Sequence, residues 1–142
     1  MRGRLLLIMT ALSMAASAGA KPAVVGSIGL LSDDPVTQVI VALDQPAQFR
    51  MFTLSAPDRV VIDILGSRLS PSSLPLPAGC GAVRQVRAAN RQDGSVRLVM
   101  DLETLADFTG TMQKVPAGGL LDVVLRNVKV APTRVAAATE TA

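Results

Sequence analysis

The sequence contains an internal repeat that aligns at one constant offset. Residues 24–65 align without a gap on residues 83–124, with seven identities in 42 positions. A long period that occurs only twice predicts a duplicated half-domain that closes on itself, because two units are too few to stack into an open array. The identical pairs are Val24 and Val83, Asp34 and Asp93, Leu43 and Leu102, Ala47 and Ala106, Phe49 and Phe108, Pro57 and Pro116, and Asp63 and Asp122.

Each copy contains four short segments that are typical of β-strands. They are rich in Val and Ile and are bounded by Pro, Asp and Ser clusters. Apolar residues alternate along them, as in Val39, Val41 and Leu43, so one face of each sheet is apolar. The sequence therefore predicts an all-β sandwich of two similar four-stranded antiparallel sheets. The predicted strands are 23–31, 37–43, 48–54 and 59–65 in the first copy, and 83–90, 95–102, 107–114 and 120–126 in the second.

Residues 1–20 have the layout of a secretory signal peptide. Arg2 and Arg4 precede an apolar stretch over residues 5–16, and small residues follow it. We therefore expect residues 1–20 to be removed during export across the inner membrane, which leaves a periplasmic protein with no membrane span. A retained membrane anchor is the weaker alternative, because a spanning helix needs roughly 20 apolar residues. Gly3 separates the two arginines, so a twin-arginine signal is not supported.

Two other segments interrupt or follow the strands. Residues 66–82 hold three prolines and predict a loop or a short helical turn between the copies. Residues 131–142 are rich in Ala and Thr and predict a flexible tail or linker. The folded domain is accordingly expected over residues 23–130.

Composition argues against several classes of function. Lys and Arg total 14 against 11 Asp and Glu, and two of the arginines lie in the leader. Trp and Tyr are absent, so nucleic acid is not an expected partner. His is absent and Cys80 is the single thiol, so neither a His-ligated zinc centre nor a His-assisted nucleophile can form. We expect no catalytic residue, no metal and no cofactor. Cys80 is expected to be a small buried residue beside a glycine turn, and a reactive or intermolecular thiol is the alternative.

Two stretches of the sequence resemble the AMIN domain. The first is 49–64, where Phe52, Leu54, Pro57, Arg59 and Asp63 follow that domain's pattern, and the second combines 83–90 with 93–102. AMIN domains stand at the amino end of periplasmic N-acetylmuramoyl-L-alanine amidases and in some outer-membrane proteins of pilus and secretion systems. The resemblance covers residues 23–130. It implies a sandwich of two similar four-stranded sheets that binds peptidoglycan and directs its host protein to the division site.

The amidases of this family carry a zinc-binding catalytic domain after the AMIN domain, and its His and Glu ligands have no counterpart here. We therefore expect no amidase activity from this chain. Two interpretations stay open for a module that localises a cell-wall hydrolase: a free-standing binding protein, or the front part of a split or truncated amidase. The alternative is a wall-tethering domain of an envelope assembly such as a pilus or secretin complex. Under these interpretations, division-site or envelope-complex proteins are expected as further partners.

One window of the sequence, residues 84–97, has a local charge bias, with four arginines against Asp93. Guanidinium groups pair well with carboxylates, in which the stem peptides of peptidoglycan are rich. Replacing Arg87 and Arg97 with alanine is expected to weaken wall binding with little effect on stability. The alternative is a solvated sheet face without a ligand. The candidate peptidoglycan-binding residues are Arg84, Arg87, Asn90, Arg91 and Arg97, with Gln92 as a further hydrogen-bonding group.

The repeat aligns Asp63 with Asp122 and Asp34 with Asp93, so a glycosidase with two carboxylates has to be considered. We favour a structural role, in which such aspartates bond to local backbone or Asp63 pairs with Arg59 on its own strand. The aligned Phe49 and Phe108 are expected in the core, because aromatic side chains dominate core burial.

Overall fold

The structure is a computed structural model that describes residues 21–127. This part of the chain is built almost wholly of β-strands, and its single short helical element is one 3-10 turn at Pro71–Ser73. All eight predicted strands are present, with shifts of one or two residues at some ends. The strands are β1 Ala23–Asp33, β2 Val36–Leu43, β3 Phe49–Leu54, β4 Arg59–Ile64, β5 Ser67–Leu69, β6 Ala78–Cys80, β7 Val83–Asn90, β8 Val96–Leu102, β9 Ala106–Val115 and β10 Gly118–Asn127.

The strands form two sheets that pack around one core. Sheet A has the order β5-β1-β2-β10-β9, and sheet B has the order β3-β4-β8-β7-β6. The prediction of an all-β, two-sheet architecture is confirmed. The predicted number of strands is wrong, because each sheet has five strands instead of four. The sheets are also not wholly antiparallel, since β5 runs parallel to β1.

The additional strands come from residues 66–82, which the sequence predicted to be a loop or a helical turn. Gly66 takes a positive φ of 56° and precedes β5, which pairs with β1 and forms one edge of sheet A. β6 pairs with β7 and forms one edge of sheet B. Strands of three residues are too short to show apolar alternation, and Gly79 has a low strand propensity. Both strands therefore leave no signal in the sequence.

The core lies between the sheets and follows the predicted alternation. Val39, Val41 and Leu43 of β2 face Leu98, Met100 and Leu102 of β8 across the same cluster, and all six are buried. Phe49 and Phe108 are partly buried and pack against this cluster. Their predicted core position is confirmed. The largest fully buried side chains are those of Ile62, Ile64, Leu98, Met100, Leu121 and Leu125.

The two aligned copies do not form one sheet each. The repeat alignment pairs β1 with β7, β2 with β8, β3 with β9 and β4 with β10, and each copy gives its first two strands to one sheet and its last two to the other. Without β5 and β6, sheet A has the order β1-β2-β10-β9 and sheet B has the order β7-β8-β4-β3. Replacing each strand of sheet A by its aligned strand in the other copy gives the order of sheet B. The duplication itself stays a prediction.

The turn between β6 and β7 of sheet B packs against β2 of sheet A. Gly81 has a φ of 57°, and a side chain at this position would overlap the hydroxyl groups of Ser32 and Thr37. Thr37 is buried on β2, and its Oγ1 accepts a hydrogen bond of 2.9 Å from the Ala82 N–H. Cys80 stands beside this turn and is half-buried instead of buried. Because this turn packs so closely against Ser32 and Thr37, a residue without a side chain follows Cys80.

No helix within residues 21–127 is long and apolar enough to cross a membrane. The predicted signal peptide at residues 1–20, the tail at residues 131–142 and the domain boundary at residue 130 lie outside the described residues. The first described strand begins at Ala23 and the last ends at Asn127.

Candidate functional site

The candidate residues lie mainly on the outer face of sheet B, the face that points away from the core. Strand register places Ala89 of β7 beside Arg97 of β8, and Arg97 beside Asp63 of β4. Since side chains two residues apart share a face, Arg87 and Val99 belong to the same surface. The sheet therefore brings together residues that are distant in the sequence.

Asp63 is the central acidic group of this face, and its side chain is only 2% exposed. The Nε and Nη2 atoms of Arg97 donate hydrogen bonds of 2.7 and 2.8 Å to its two carboxylate oxygens. Arg50 approaches the same carboxylate at 3.5 Å. These hydrogen bonds from Arg97 hold the pKa of Asp63 below its usual value, although burial acts in the opposite direction. The pair is therefore ionised at neutral pH.

The Arg97 guanidinium also lies over the ring of Phe52, at 5.4 Å from the ring centroid. This cation–π contact and the two hydrogen bonds to Asp63 fix the orientation of the guanidinium. Arg97 is thus part of the structure of the face. The expectation that its replacement leaves stability unchanged does not agree with this geometry.

The other three arginines of the window also have carboxylate partners. Arg87 donates from Nε and Nη2 to the carboxylate of Asp101, at 3.2 and 2.9 Å. Arg84 donates from Nε and Nη2 to one oxygen of Glu103, Oε1, both at 3.2 Å. The partners Asp63, Asp101 and Glu103 lie outside residues 84–97. Counting charges along the sequence therefore overstated the positive charge of this surface.

Arg91 has the weakest contact with a carboxylate among the four arginines. Its Nε lies 3.9 Å from a carboxylate oxygen of Asp93, which is too far for a hydrogen bond. Asp93 is itself engaged by Ser95, whose N–H and hydroxyl donate to Oδ1 at 3.1 and 2.6 Å. The Ser95 hydroxyl is the main reason that the pKa of Asp93 is lowered. The predicted bonding of this aspartate to local backbone is confirmed.

Asn90 has a structural contact. Its Oδ1 accepts a hydrogen bond of 2.8 Å from the Leu69 N–H of β5, so it joins β7 of sheet B to an edge strand of sheet A. The carbonyl oxygen of this side chain is therefore occupied by backbone. A role in wall binding is left to its amide N–H₂ group.

A shallow depression of about 350 Å³ lies on the outer face of sheet B. It brings together three of the five candidate residues, Arg87, Arg91 and Arg97, whereas Arg84 and Asn90 do not line it. Ala89 and Val99 contribute its apolar surface together with Ala88. We call this feature the Ala89 depression.

A second concavity, the end cleft, opens where β3, β4, β8 and β9 begin or end. Its volume is about 610 Å³. Leu54 and Leu105 line it and are 41% and 48% exposed, and Asp58 and Asp107 contribute carboxylates. Sequence reasoning missed this cleft because its residues come from separate segments with no common pattern.

The two aligned aspartates, Asp63 and Asp122, have partners on neighbouring strands. Asp122 accepts a hydrogen bond of 2.7 Å from Gln38 Nε2, and Asp63 pairs with Arg97, so neither bonds to local backbone as predicted. Arg59 does not pair with Asp63, since its Nε donates to the Pro57 carbonyl at 3.2 Å. Asp63 and Asp122 lie on the outer faces of opposite sheets. A glycosidase needs its two carboxylates across one cleft, so these two cannot form that pair.

The repeat alignment relates the pair of Asp63 with Arg97 to the pair of Asp122 with Gln38. It places Asp63 on Asp122 and Arg97 on Gln38. Each sheet therefore carries an aspartate held by the long side chain of a neighbouring strand. In sheet B that side chain is charged, and in sheet A it is neutral.

Residues 30–124 match the family model of the AMIN domain. No curated protein matches the chain. AMIN domains are non-catalytic modules that bind peptidoglycan and target periplasmic proteins. The match confirms the resemblance and covers more than half of the chain, from within β1 to within β10. The chain therefore belongs to the AMIN domain family.

Proposed function

We propose that this protein is a non-catalytic peptidoglycan-binding module and that the Ala89 depression contacts the cell wall. The observation that supports the site is the grouping of three guanidinium groups around one concave surface. We further propose that the protein works in the periplasm, after removal of residues 1–20, and that it directs an amidase-type hydrolase to the division site. These finer roles follow the resemblance described above.

The geometry suggests how the arginines bind carboxylates of the wall. A guanidinium has five N–H donors, and Arg87 and Arg97 each use two nitrogen atoms on a carboxylate within the sheet. Their remaining donors are free to bind a second acceptor, while the internal carboxylate fixes the orientation of the group. Preorganisation of this kind lowers the entropic cost of binding.

Sedimentation with purified sacculi tests this proposal. We expect the mature protein to sediment with sacculi without releasing stem peptide. Arg87→Ala should weaken the affinity about tenfold, because a charge-assisted hydrogen bond contributes about 1.5 to 3 kcal/mol. Arg84→Ala is the matched control: it removes an arginine from the same strand that also pairs with a carboxylate but does not line the depression.

Two results would contradict the proposal. Release of free stem peptide that follows the protein through purification would refute a non-catalytic module. Equal losses of affinity in the Arg84→Ala and Arg87→Ala variants would show that the depression is not the contact surface.

The second candidate function is a wall tether within an envelope assembly. The end cleft favours it, because exposed leucines beside carboxylates are suited to a protein partner. We expect Leu105→Asp to abolish chemical crosslinks to an envelope protein while sacculus sedimentation is retained. Leu74→Asp is the control, since Leu74 is 56% exposed and lies outside the cleft.

The identity of the crosslinked protein separates the two functions. An amidase supports the first candidate, and a secretin or pilus component supports the second. Crosslinks that persist in the Leu105→Asp variant would exclude the end cleft as the partner surface.

A further inference from the structure

We infer that the Ala89 depression binds the terminal carboxylate of a peptide whose last residue has a methyl-sized side chain. This inference rests on the proposed function and names the part of peptidoglycan that the site recognises: the alanine-terminated end of a stem peptide instead of the glycan strand.

The depression exists because Ala89 is small. Ala89 is exposed on the outer face of sheet B, its register partner is Arg97, and Arg87 precedes it on the same face. The long side chains around it extend beyond its single methyl group, so they form walls around a shallow floor. The volume of about 350 Å³ is near the lower limit for ligand pockets, which suits the end of a short peptide.

The hydrogen-bonding chemistry of the lining favours a carboxylate over a sugar. The polar side chains that line the depression are Arg87, Arg91 and Arg97, and arginine has donors but no acceptor. A carboxylate has only acceptors and therefore matches this set. Sugar hydroxyl groups also donate, and the described lining offers them no side-chain acceptor.

The aromatic ring nearest to these arginines is not available as a sugar platform. Phe52 does not line the depression, and the Arg97 guanidinium lies over its ring. Stacking of a sugar there would require the ion pair with Asp63 to move. The apolar surface that remains, from Ala89 and Val99, fits a methyl group.

The internal ion pairs leave one nitrogen free on each of two arginines that line the depression. Arg87 and Arg97 bind their carboxylates through Nε and Nη2, and the Nη1 group of each makes no hydrogen bond within residues 21–127. Arg91 is held only at 3.9 Å, so it is able to turn toward a ligand. The site thus combines two fixed guanidinium groups with one adjustable group.

The first experiment uses the mature protein and two soluble peptides, followed by backbone amide chemical shifts. One peptide is a stem pentapeptide that ends in D-alanyl-D-alanine, and the other is its C-terminal amide. We expect the acid to shift the amides of β7 and β8, and the amide form to bind at least tenfold more weakly, because it lacks the charge that assists the hydrogen bonds. Equal affinity for the two peptides would overturn the inference.

A variant tests the role of Ala89 itself. Ala89→Leu fills the depression from an exposed position and leaves all three arginines in place, so we expect it to bind the acid peptide at least tenfold more weakly. Thr109→Leu is the control, because Thr109 is exposed on the outer face of sheet A. An Ala89→Leu variant that binds as well as the unchanged protein would contradict the inference. The peptide pair decides the question without any variant.

A second experiment distinguishes failure of this inference from failure of the proposed function. The mature protein is tested for retention on immobilised intact sacculi and on immobilised glycan strands from which an amidase has removed the stem peptides. Binding to intact sacculi alone supports the inference. Equal binding to both overturns the inference and leaves the proposed function intact, whereas binding to neither overturns the proposed function as well.

Discussion

Replacement of Arg97 with alanine is expected to lower the free energy of unfolding by about 3 kcal/mol. Removing one partner of a buried ion pair costs about 3 to 5 kcal/mol, and the partial exposure of Arg97 and the remaining contact of Arg50 with Asp63 place the expected value at the lower end. The charge left behind is that of Asp63, which is 2% exposed. Urea denaturation at neutral pH measures this change.

Two variants control for the loss of charge. Arg87→Ala removes a second arginine that is bound by two hydrogen bonds, but its partner Asp101 is more accessible, so we expect a loss of about 1 kcal/mol. The double replacement Asp63→Val and Arg97→Val should recover part of the stability, because it removes both charges and suits β-strands. If Arg97→Ala lowers the free energy of unfolding no more than Arg87→Ala does, the stability of the fold does not depend on the pairing of Asp63 with Arg97.

The same pair determines how stability responds to acid. Because Arg97 lowers the pKa of Asp63 in the folded protein, the pair contributes fully above the ordinary value of 3.8, and this contribution is lost as the pH falls through the lowered pKa. The Asp63→Asn variant should therefore be less stable at pH 7 and lose less further stability below pH 4. Thermal unfolding across this range is the measurement.

Replacement of Gly81 with alanine should destabilise the fold by about 3 kcal/mol or more. A non-glycine residue with a positive φ costs about 1 to 3 kcal/mol, and overpacking costs about 1 to 3 kcal/mol in addition. The φ of Gly81 is 57°, and an added Cβ would overlap the side chains of Ser32 and Thr37. Movement of Thr37 would also break its hydrogen bond with Ala82.

Gly66 offers a closely matched control for this prediction. Its φ is 56°, and an added Cβ meets no atom within 4 Å. Gly66→Ala should therefore show only the backbone contribution, about 1 to 2 kcal/mol. Similar losses in the Gly66→Ala and Gly81→Ala variants would mean that the corner between β6 and β7 relaxes around the new side chain.

The eight longer strands were predictable because each has six or more residues with apolar or β-branched positions bounded by turn residues, and several also alternate, as Val39, Val41 and Leu43 do in β2. The short strands β5 and β6 were not, because their position depends on which edge strands are free after the two sheets have formed. A three-residue segment pairs with such an edge through its backbone. Its side chains leave little trace of this in the sequence.

Of the candidate site, only the arginines were predictable from the sequence. Their carboxylate partners depend on strand register, which places Arg97 beside Asp63 at a separation of 34 residues. The Ala89 depression also depends on register, since a small residue is visible as a gap only when its neighbours on adjacent strands are known. Local composition therefore identified the positive groups and missed how they are held.

The position of β1 and β10 in sheet A determines how the domain bears tension. Each pairs with β2 in antiparallel orientation, so β1 and β10 run parallel on either side of it. Ala23 lies near the Leu43 end of β2, whereas Asn127 lies near the Val36 end, where its N–H donates to the Pro35 carbonyl. A force that draws these two residues apart acts along the strands and across hydrogen bonds that are perpendicular to them. The bonds within each of the two ladders beside β2 then bear the load together, so the sheet resists shear instead of opening one bond at a time.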